Sequence, residues 1–204
     1  MAQRINPTRM ELLRLKKRSA LARKGHKLLK DKRDGLMREF LQIIRSAREL
    51  REQVDALLAK AGQHFVLAQA SMNQPAIDLL SSIRLFSVAA SVQEKNVMGV
   101  RLPEFDIHLE KSGQTYGTWE TSAELDIAMK YFQEALPLLM KLAAIEKSAE
   151  LMAQEIEKTR RRVNALEYVL IPQLAQQSKY IRMKLDEYER AAIITTMMVK
   201  NTIG

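Results

Sequence analysis

Residues 142–203 read LAAIEKSAELMAQEIEKTRRRVNALEYVLIPQLAQQSKYIRMKLDEYERAAIITTMMVKNTI. The stretch has no glycine and one proline, Pro172, so an uninterrupted helix here would be roughly 90 Å long. Such a helix needs an apolar partner along its length, because most helical stability in water comes from packing one face. Residues 8–72 contain no proline and predict a second helix of roughly 100 Å. The sequence therefore predicts a rod made from the two ends of the chain.

The N-terminal segment carries the heptad spacing of a coiled-coil seam. It begins after Pro7, where Thr8 and Glu11 have the spacing of a capping box. The a positions are Leu12, Ser19, His26, Arg33, Phe40, Ala47, Val54 and Ala61, and the d positions are Leu15, Ala22, Leu29, Leu36, Ile43, Leu50 and Leu57. Three successive a positions are polar. Either this half of the seam faces other chains, or the aliphatic parts of its long basic side chains pack along the seam.

The C-terminal segment changes heptad phase near Pro172. Its a positions are Leu142, Ala149, Ile156, Val163 and Leu170, and its d positions are Ile145, Met152, Thr159 and Leu166. Beyond the proline the apolar positions are Leu174, Ile181 and Tyr188, with Leu185 and Ala192 beside them. A shift of four residues is a stutter, which locally unwinds a left-handed supercoil. The proline also frees a backbone carbonyl and favours a bend.

The middle of the chain has a different character. Valines and other β-formers flank Asn96–Gly99 within Phe86–Leu109, which predicts a β-hairpin, and Pro103 favours an edge or an irregular strand. The remaining middle features are a break at Asn73–Pro75, a short helix at Ala76–Phe86, a loop at Lys111–Gly117, and a helix that begins at Ser122 and is kinked at Pro137.

These patterns together predict a mainly α protein. Its N- and C-terminal helices form a long antiparallel two-helix coiled coil, with a short helical and β-hairpin insertion in the middle. The expected parts are an N-terminal coiled-coil helix (1–72), a middle segment (73–120) and a C-terminal coiled-coil helix (121–204).

Composition agrees with long helices rather than a compact core, since the 204 residues include seven glycines and 5% aromatics. The absence of cysteine excludes disulfides and thiolate metal sites and is compatible with a reducing compartment. No apolar run has the length of a signal peptide or the roughly 20 residues of a membrane span. We therefore expect a cytoplasmic chain with no direct membrane span.

Charge is concentrated at the N-terminus. The chain carries +9, yet residues 1–51 alone hold sixteen Lys and Arg against five Asp and Glu, a balance of +11. A basic helix of this kind attracts nucleic acid, an anionic membrane or an acidic protein surface, and charge alone does not choose among them.

Sites for catalysis are not indicated by any motif. The sequence has neither GxxxxGK[ST] nor GxGxxG, and His26, His64 and His108 lack neighbours at metal-ligand spacing. Nothing like a nucleophile elbow occurs. Arg160–Arg162 fan around a helix as a solvated face, and aromatics are too sparse for single-strand binding. We expect no catalytic residue, no cofactor, no metal and no nucleic-acid partner.

Three ordered motifs resemble one known family. PTRMELLRLKK (Pro7–Lys17) and GHKLLKDKRD (Gly25–Asp34) resemble the N-terminal helix of the D subunit of V-type and A-type rotary ATPases. NVMGVRLPEF (Asn96–Phe105) is similar to that family's central segment, and TRRRVNALEYVLIP (Thr159–Pro172) to its C-terminal helix. The resemblance covers essentially the whole chain.

The resemblance implies a non-catalytic rotor shaft of the central stalk. In that family the two helices enter the ring of catalytic and non-catalytic head subunits (A and B type), and the middle lies near the small F-type stalk subunit and the C/d-type socket subunit of the membrane sector. It also implies a peripheral position in the ATPase complex. Expected head contacts are Arg9, Arg14, Lys16, Lys17, Arg18, Arg23, Lys24, Tyr188, Ile193, Ile194, Met197 and Met198. Expected stalk or socket contacts are Val97, Met98, Val100 and Phe105.

One departure from the family concerns the C-terminal end. Family members often carry aromatic and basic residues there, whereas Ala191–Val199 reads AAIITTMMV. An apolar end could turn in an apolar collar, since methionine and isoleucine make contacts without directional bonds; the alternative is a frayed terminus without a role. The rival function is a free-standing basic coiled-coil scaffold or tether on anionic membrane or nucleic acid. An F-type shaft is disfavoured because the middle segment is too short for that family's larger α/β domain.

Overall fold

A computed structural model describes residues 6–73, 75, 77, 86–111 and 121–203 of the chain. Helix dominates, and the elements follow one another as α1 (Arg9–Ser71), β1 (Phe86–Val97), β2 (Val100–Lys111), α2 (Ala123–Asn164), a π-helical segment (Ala165–Leu170) and α3 (Ile171–Ile203). The predicted mainly α class, with a long helix at each end and a hairpin in the middle, is confirmed. Among the described helices, none is long and apolar enough to cross a membrane.

The helix α1 starts where the capping box predicted. Thr8 Oγ1 accepts a hydrogen bond from the Glu11 backbone N–H at 3.2 Å, and Thr8 O accepts one from Leu12 N–H at 3.0 Å. The first bond satisfies an amide group that the first turn of a helix leaves without an intrahelical partner, and the second is the first i→i−4 bond of the helix. The helix then continues through Gly25 and Gly62 to Ser71.

The chain divides into two compact units, Met1–Gly35 with Ile156–Gly204, and Leu36–Glu155. We call them unit 1 and unit 2. In unit 1 the core joins Leu15 and Ala22 of α1 to Leu174 and Ile181 of α3. The order is antiparallel, because Arg9 contacts Glu189 while His26, further along α1, contacts Glu167, which is earlier in the chain.

Unit 2 repeats the antiparallel arrangement with α2. Arg51 lies 3.7 Å from Glu146, whereas His64 lies 2.7 Å from Glu124. His64 also stacks on Tyr131, and Phe65 meets Phe132 edge to face. The largest fully buried side chains of this unit are Leu36, Val54 and Met152. Small buried alanines at 61, 68, 128 and 135 are also part of its interior.

Burial confirms the predicted heptads. Every predicted a and d position from Leu12 to Ala61, and from Leu142 to Leu170, is buried or half-buried. The polar a positions follow the same rule: Ser19, His26 and Arg33 are half-buried, and His26 contacts Glu167 of its own chain. In unit 1 the polar half of the seam is therefore not left open, and at His26 it is covered by the π-helical segment.

The phase shift near Pro172 is also seen in the burial pattern. Val163 is followed by buried Leu174 and Ile181, so the step between buried positions lengthens. The structural cause is the π-helical segment, in which Ile171 N–H donates to Leu166 O, five residues back. Pro172 supplies no N–H to the turn before it, which favours such a local widening. Beyond Ile181 the prediction holds for Leu185, which packs against the core of unit 1, but not for Tyr188, which is 61% exposed, or for Ala192, which is exposed.

The middle hairpin is confirmed. β1 and β2 pair antiparallel in an unbroken register from Phe86↔Lys111 to Val97↔Val100. Met98 (φ 52°) and Gly99 (φ 88°) form the turn, and Asn96 Oδ1 accepts a hydrogen bond from Gly99 N–H at 2.9 Å. Positive φ at both central positions is the pattern of a type I′ hairpin turn. Pro103 is tolerated because each strand of a two-stranded sheet is an edge.

The helix after the hairpin begins as predicted, since Ser122 Oγ accepts from Glu124 N–H at 3.3 Å and α2 starts at Ala123. Pro137 lies inside α2. Ile77 N–H donates to Asn73 O at 3.4 Å, but most of the predicted helix at Ala76–Phe86 and of the loop at Lys111–Gly117 lies outside the described residues. The division into parts 1–72, 73–120 and 121–204 stays a prediction.

Candidate functional site

The predicted cations of unit 1 are all exposed. Arg9 donates to Glu189 at 2.6 Å and Arg14 lies 3.5 Å from Glu11. The other five form no ion pair with any residue that the structure describes, and they are Lys16, Lys17, Arg18, Arg23 and Lys24. We call these seven residues the basic surface. Because the five unpaired charges are exposed, they are available to an oppositely charged partner.

The C-terminal end of α3 is helical to Ile203 and exposes apolar side chains. Ile193, Ile194, Met197 and Met198 are 55–67% exposed. Their spacing of one and four residues puts them on one broad face of the helix. We call these four residues the apolar tip.

The two threonines between the residues of the apolar tip form hydrogen bonds within the helix. Thr195 and Thr196 donate their hydroxyls to Ala191 O and Ala192 O at 2.9 and 2.8 Å. Residues 191–199 carry no charge. The surface therefore offers contacts without directional hydrogen bonds, which suits an apolar partner surface.

Glu187 and Lys184 form an exposed pair just before the tip. Lys184 Nζ donates to Glu187 Oε2 at 2.8 Å. This hydrogen bond and the attraction of the two charges lower the pKa of Glu187 and raise the pKa of Lys184 from their ordinary values. Both groups therefore stay charged through the neutral range, so charge begins immediately below the uncharged tip.

The four predicted stalk or socket residues lie at the end of β1, at the hairpin turn and on β2, but they differ in exposure. Met98 is 44% exposed at the turn, whereas Val97 and Phe105 are half-buried. Val100 is 8% exposed and belongs to the interior of unit 2. Of the four side chains, Met98 offers a partner the most surface.

Sequence reasoning missed two groups of residues. Met10 and Leu13, which adjoin the basic surface on α1, are 77% and 54% exposed. A signal for them existed, because both are apolar residues outside the a and d positions of the seam. Glu189 and Glu167, the carboxylates that bind Arg9 and His26, had no sequence signal because their partners are far away in the chain.

Among the residues that the structure describes, no group of three or more His, Asp or Glu side chains could hold a metal ion. His64 and His26 each contact a single carboxylate, Glu124 and Glu167 respectively.

Comparison with known proteins gives one consistent result. The sequence model of the family of the ATP synthase D subunit matches residues 11–201. The V-type ATP synthase D subunit of Acetivibrio thermocellus is 50% identical over 202 residues, which covers 97% of this chain and 91% of that protein. The proteins of the same name from Thermoanaerobacter pseudethanolicus and Clostridioides difficile are 47% and 48% identical, over 98% of this chain and over 96% and 91% of their own lengths.

Proposed function

Because this chain belongs to the family of the ATP synthase D subunit, we propose that it is the non-catalytic central shaft of a V-type rotary ATPase. As a member of that family it is a component of a multi-subunit complex. In the proposal it couples ATP hydrolysis or synthesis in the catalytic ring to rotation of the membrane ring that moves ions. The complex binds the nucleotide on other subunits, and this chain needs no cofactor.

The observation that carries the proposal is the arrangement of unit 1. Leu15 and Ala22 pack on Leu174 and Ile181, so the two helices are held to each other by a closed apolar seam. A close-packed interior has low compressibility and transmits strain, which a shaft under torque requires. This pairing leaves both the basic surface and the apolar tip exposed.

The proposed contacts with the head use both surfaces. The basic surface would face acidic residues of the A- and B-type subunits, with its attraction screened over about 10 Å at moderate salt. The apolar tip would turn within an apolar collar, where contacts can be exchanged as the angle changes. Its continuous helical structure to Ile203 favours this interpretation over a frayed end.

The hairpin supplies the proposed contacts lower on the stalk. Met98 and Gly99 present the turn, and Val97 and Phe105 extend it. We assign the small F-type stalk protein and the C/d-type socket protein of the membrane sector to this region. Such a position is peripheral to the membrane on its cytoplasmic side.

Coupling in this mechanism is reciprocal. Each nucleotide state of the ring prefers one angle of an asymmetric shaft, so hydrolysis drives rotation. By the same free-energy linkage, a rotation driven by ion flow changes the affinity of the ring for nucleotide. The residues of this chain act by stiffness and by angle-dependent contact, and ATP is cleaved elsewhere.

Charge reversal tests the proposal. Lys16→Glu/Lys17→Glu/Arg18→Glu is compared with Arg45→Glu/Arg48→Glu/Lys60→Glu, a control of equal charge change on exposed residues of unit 2. In the reassembled complex, the first variant should lower the number of ions pumped per ATP hydrolysed, and the loss should change with salt concentration. Equal coupling in wild type and this variant at all salt concentrations would overturn the proposed head contact.

A further inference from the structure

We propose that unit 2 contains a binding site for a medium-chain carboxylate, an anionic ligand with an apolar tail. The site is the cleft between the hairpin and the helices α1 and α2, with a volume of about 330 Å³. It lies wholly within Leu36–Glu155 and does not depend on the rotor proposal.

The interior of the cleft is apolar. Leu102 and Ala144 are each 6% exposed and are the most buried of its lining residues. The walls are half-buried aliphatic and aromatic side chains from three elements, Ile43, Leu50, Phe105 and Ile145. Apolar walls with a few polar groups at fixed positions are typical of small-molecule sites, which begin at about 300 Å³.

One end of the cleft is fixed by a side-chain contact. Ser148 Oγ donates to Ala144 O at 2.8 Å and lies 3.5 Å from Pro103 O of the hairpin. Ser148 is itself 7% exposed. The hydroxyl is therefore already satisfied, and it provides no free donor that would favour an uncharged polar ligand at this end.

Two exposed lysines, Lys95 and Lys141, line the cleft. Lys95 pairs in register with Leu102, and directly opposed residues of antiparallel strands point to the same face, so Lys95 is on the cleft side of β1. Lys141 reaches the cleft from α2. Neither lysine forms an ion pair with a described residue, and the acidic group among the lining residues is Glu104. The surplus positive charge favours an anionic head group.

The volume of the cleft and the charge of its lining residues together indicate which ligand would bind. The cleft has the volume of roughly eleven water molecules at about 30 Å³ each, which a saturated chain of about ten carbons can fill. Its carboxylate would bind between Lys95 and Lys141 in charge-assisted hydrogen bonds, while its tail would replace water against Leu102 and Ala144. Since the lining comes from the hairpin and from both helices, an occupied cleft would hold the hairpin against them.

Isothermal titration of the full chain with decanoate, and with decanol as the uncharged analogue, tests the site. We expect saturable binding of decanoate, and at least about tenfold weaker binding of decanol because it lacks the charge. Lys95→Gln/Lys141→Gln should weaken decanoate about tenfold and leave decanol unchanged. The control Lys60→Gln/Lys130→Gln makes the same charge change at exposed lysines away from the cleft and should leave both ligands unchanged.

A second variant, Ala144→Leu, reduces the volume of the cleft and should weaken both ligands, with helical content checked by circular dichroism. Hydrogen exchange at the Phe105 amide gives an independent readout and should slow when decanoate is added. Absence of saturable decanoate binding, equal affinity for decanol, or equal weakening in the Lys60/Lys130 control would each overturn the proposed site.

Discussion

Met98 is the one non-glycine residue with a positive φ in the part of the chain that the structure describes. Its φ of 52° is in the left-handed region, which costs a non-glycine residue about 1–2 kcal/mol. We predict that Met98→Asn raises the free energy of unfolding by about 1 kcal/mol, because asparagine before glycine is favoured in a type I′ turn. Urea denaturation measures the change.

Met98→Ala is the matched control for this prediction. It removes the same side chain but keeps the unfavourable φ, so its free energy of unfolding should not rise. A gain as large as that of Met98→Asn would show that the methionine side chain, rather than the backbone, is the source of the cost. Since strained residues are often kept at contact sites, we expect Met98→Asn to bind the stalk partners less well.

The same hairpin shows which residue positions the sequence could predict. Asn96–Gly99 was found because turn chemistry is local, and the hydrogen bond between Asn96 and Gly99 closes within four residues. Tyr188 was placed wrongly on the seam: it is 61% exposed although α1 begins at Arg9, which contacts the next residue, Glu189. The burial of Val100 had no local signal either, because it depends on how the hairpin packs within unit 2.

At the scale of elements, α1 contains glycines that its packing does not require. A Cβ added at Gly62 or Gly25 would meet nothing within 4 Å. We predict that Gly62→Ala raises the free energy of unfolding by about 0.5–1 kcal/mol, because alanine loses less conformational entropy in a helix. Thermal denaturation followed by circular dichroism measures it.

Ala59→Gly is the opposite change at a nearby exposed position of the same helix and should cost a similar amount. If Gly62→Ala lowers stability instead, the space beside Gly62 is needed by a neighbouring side chain. Gly25→Ala repeats the test in unit 1, where the same gain is expected.

The element that sequence reasoning described only in part is the helix around Pro172. The spacing of Val163, Leu174 and Ile181 revealed the change of phase, because burial follows the apolar pattern directly. The π-helical segment itself was not predicted. Its hydrogen bond from Ile171 N–H to Leu166 O involves backbone atoms only. More than one backbone geometry can produce the same shift in the phase of the buried side chains, so the apolar pattern does not identify the geometry.

At the scale of the whole molecule, the seam is closed within one chain. Leu15, Ala22, Leu174 and Ile181 are at most 8% exposed without any second copy, so a dimer is not needed to bury them. We predict that the isolated chain has the mass of one protomer in light scattering at micromolar concentration. A free-standing tether of the usual parallel or antiparallel coiled-coil type would instead be a stable homodimer.

The apolar tip provides the control for this prediction, since exposed apolar surface can associate at high concentration. Met197→Ser/Met198→Ser removes much of that surface and leaves the seam intact. Association that disappears in this variant originates in the tip and agrees with a shaft whose bearing partner is absent. A dimer of unchanged stability in the variant would place the contact outside the tip, and the chain would then have to be treated as a scaffold that pairs with itself.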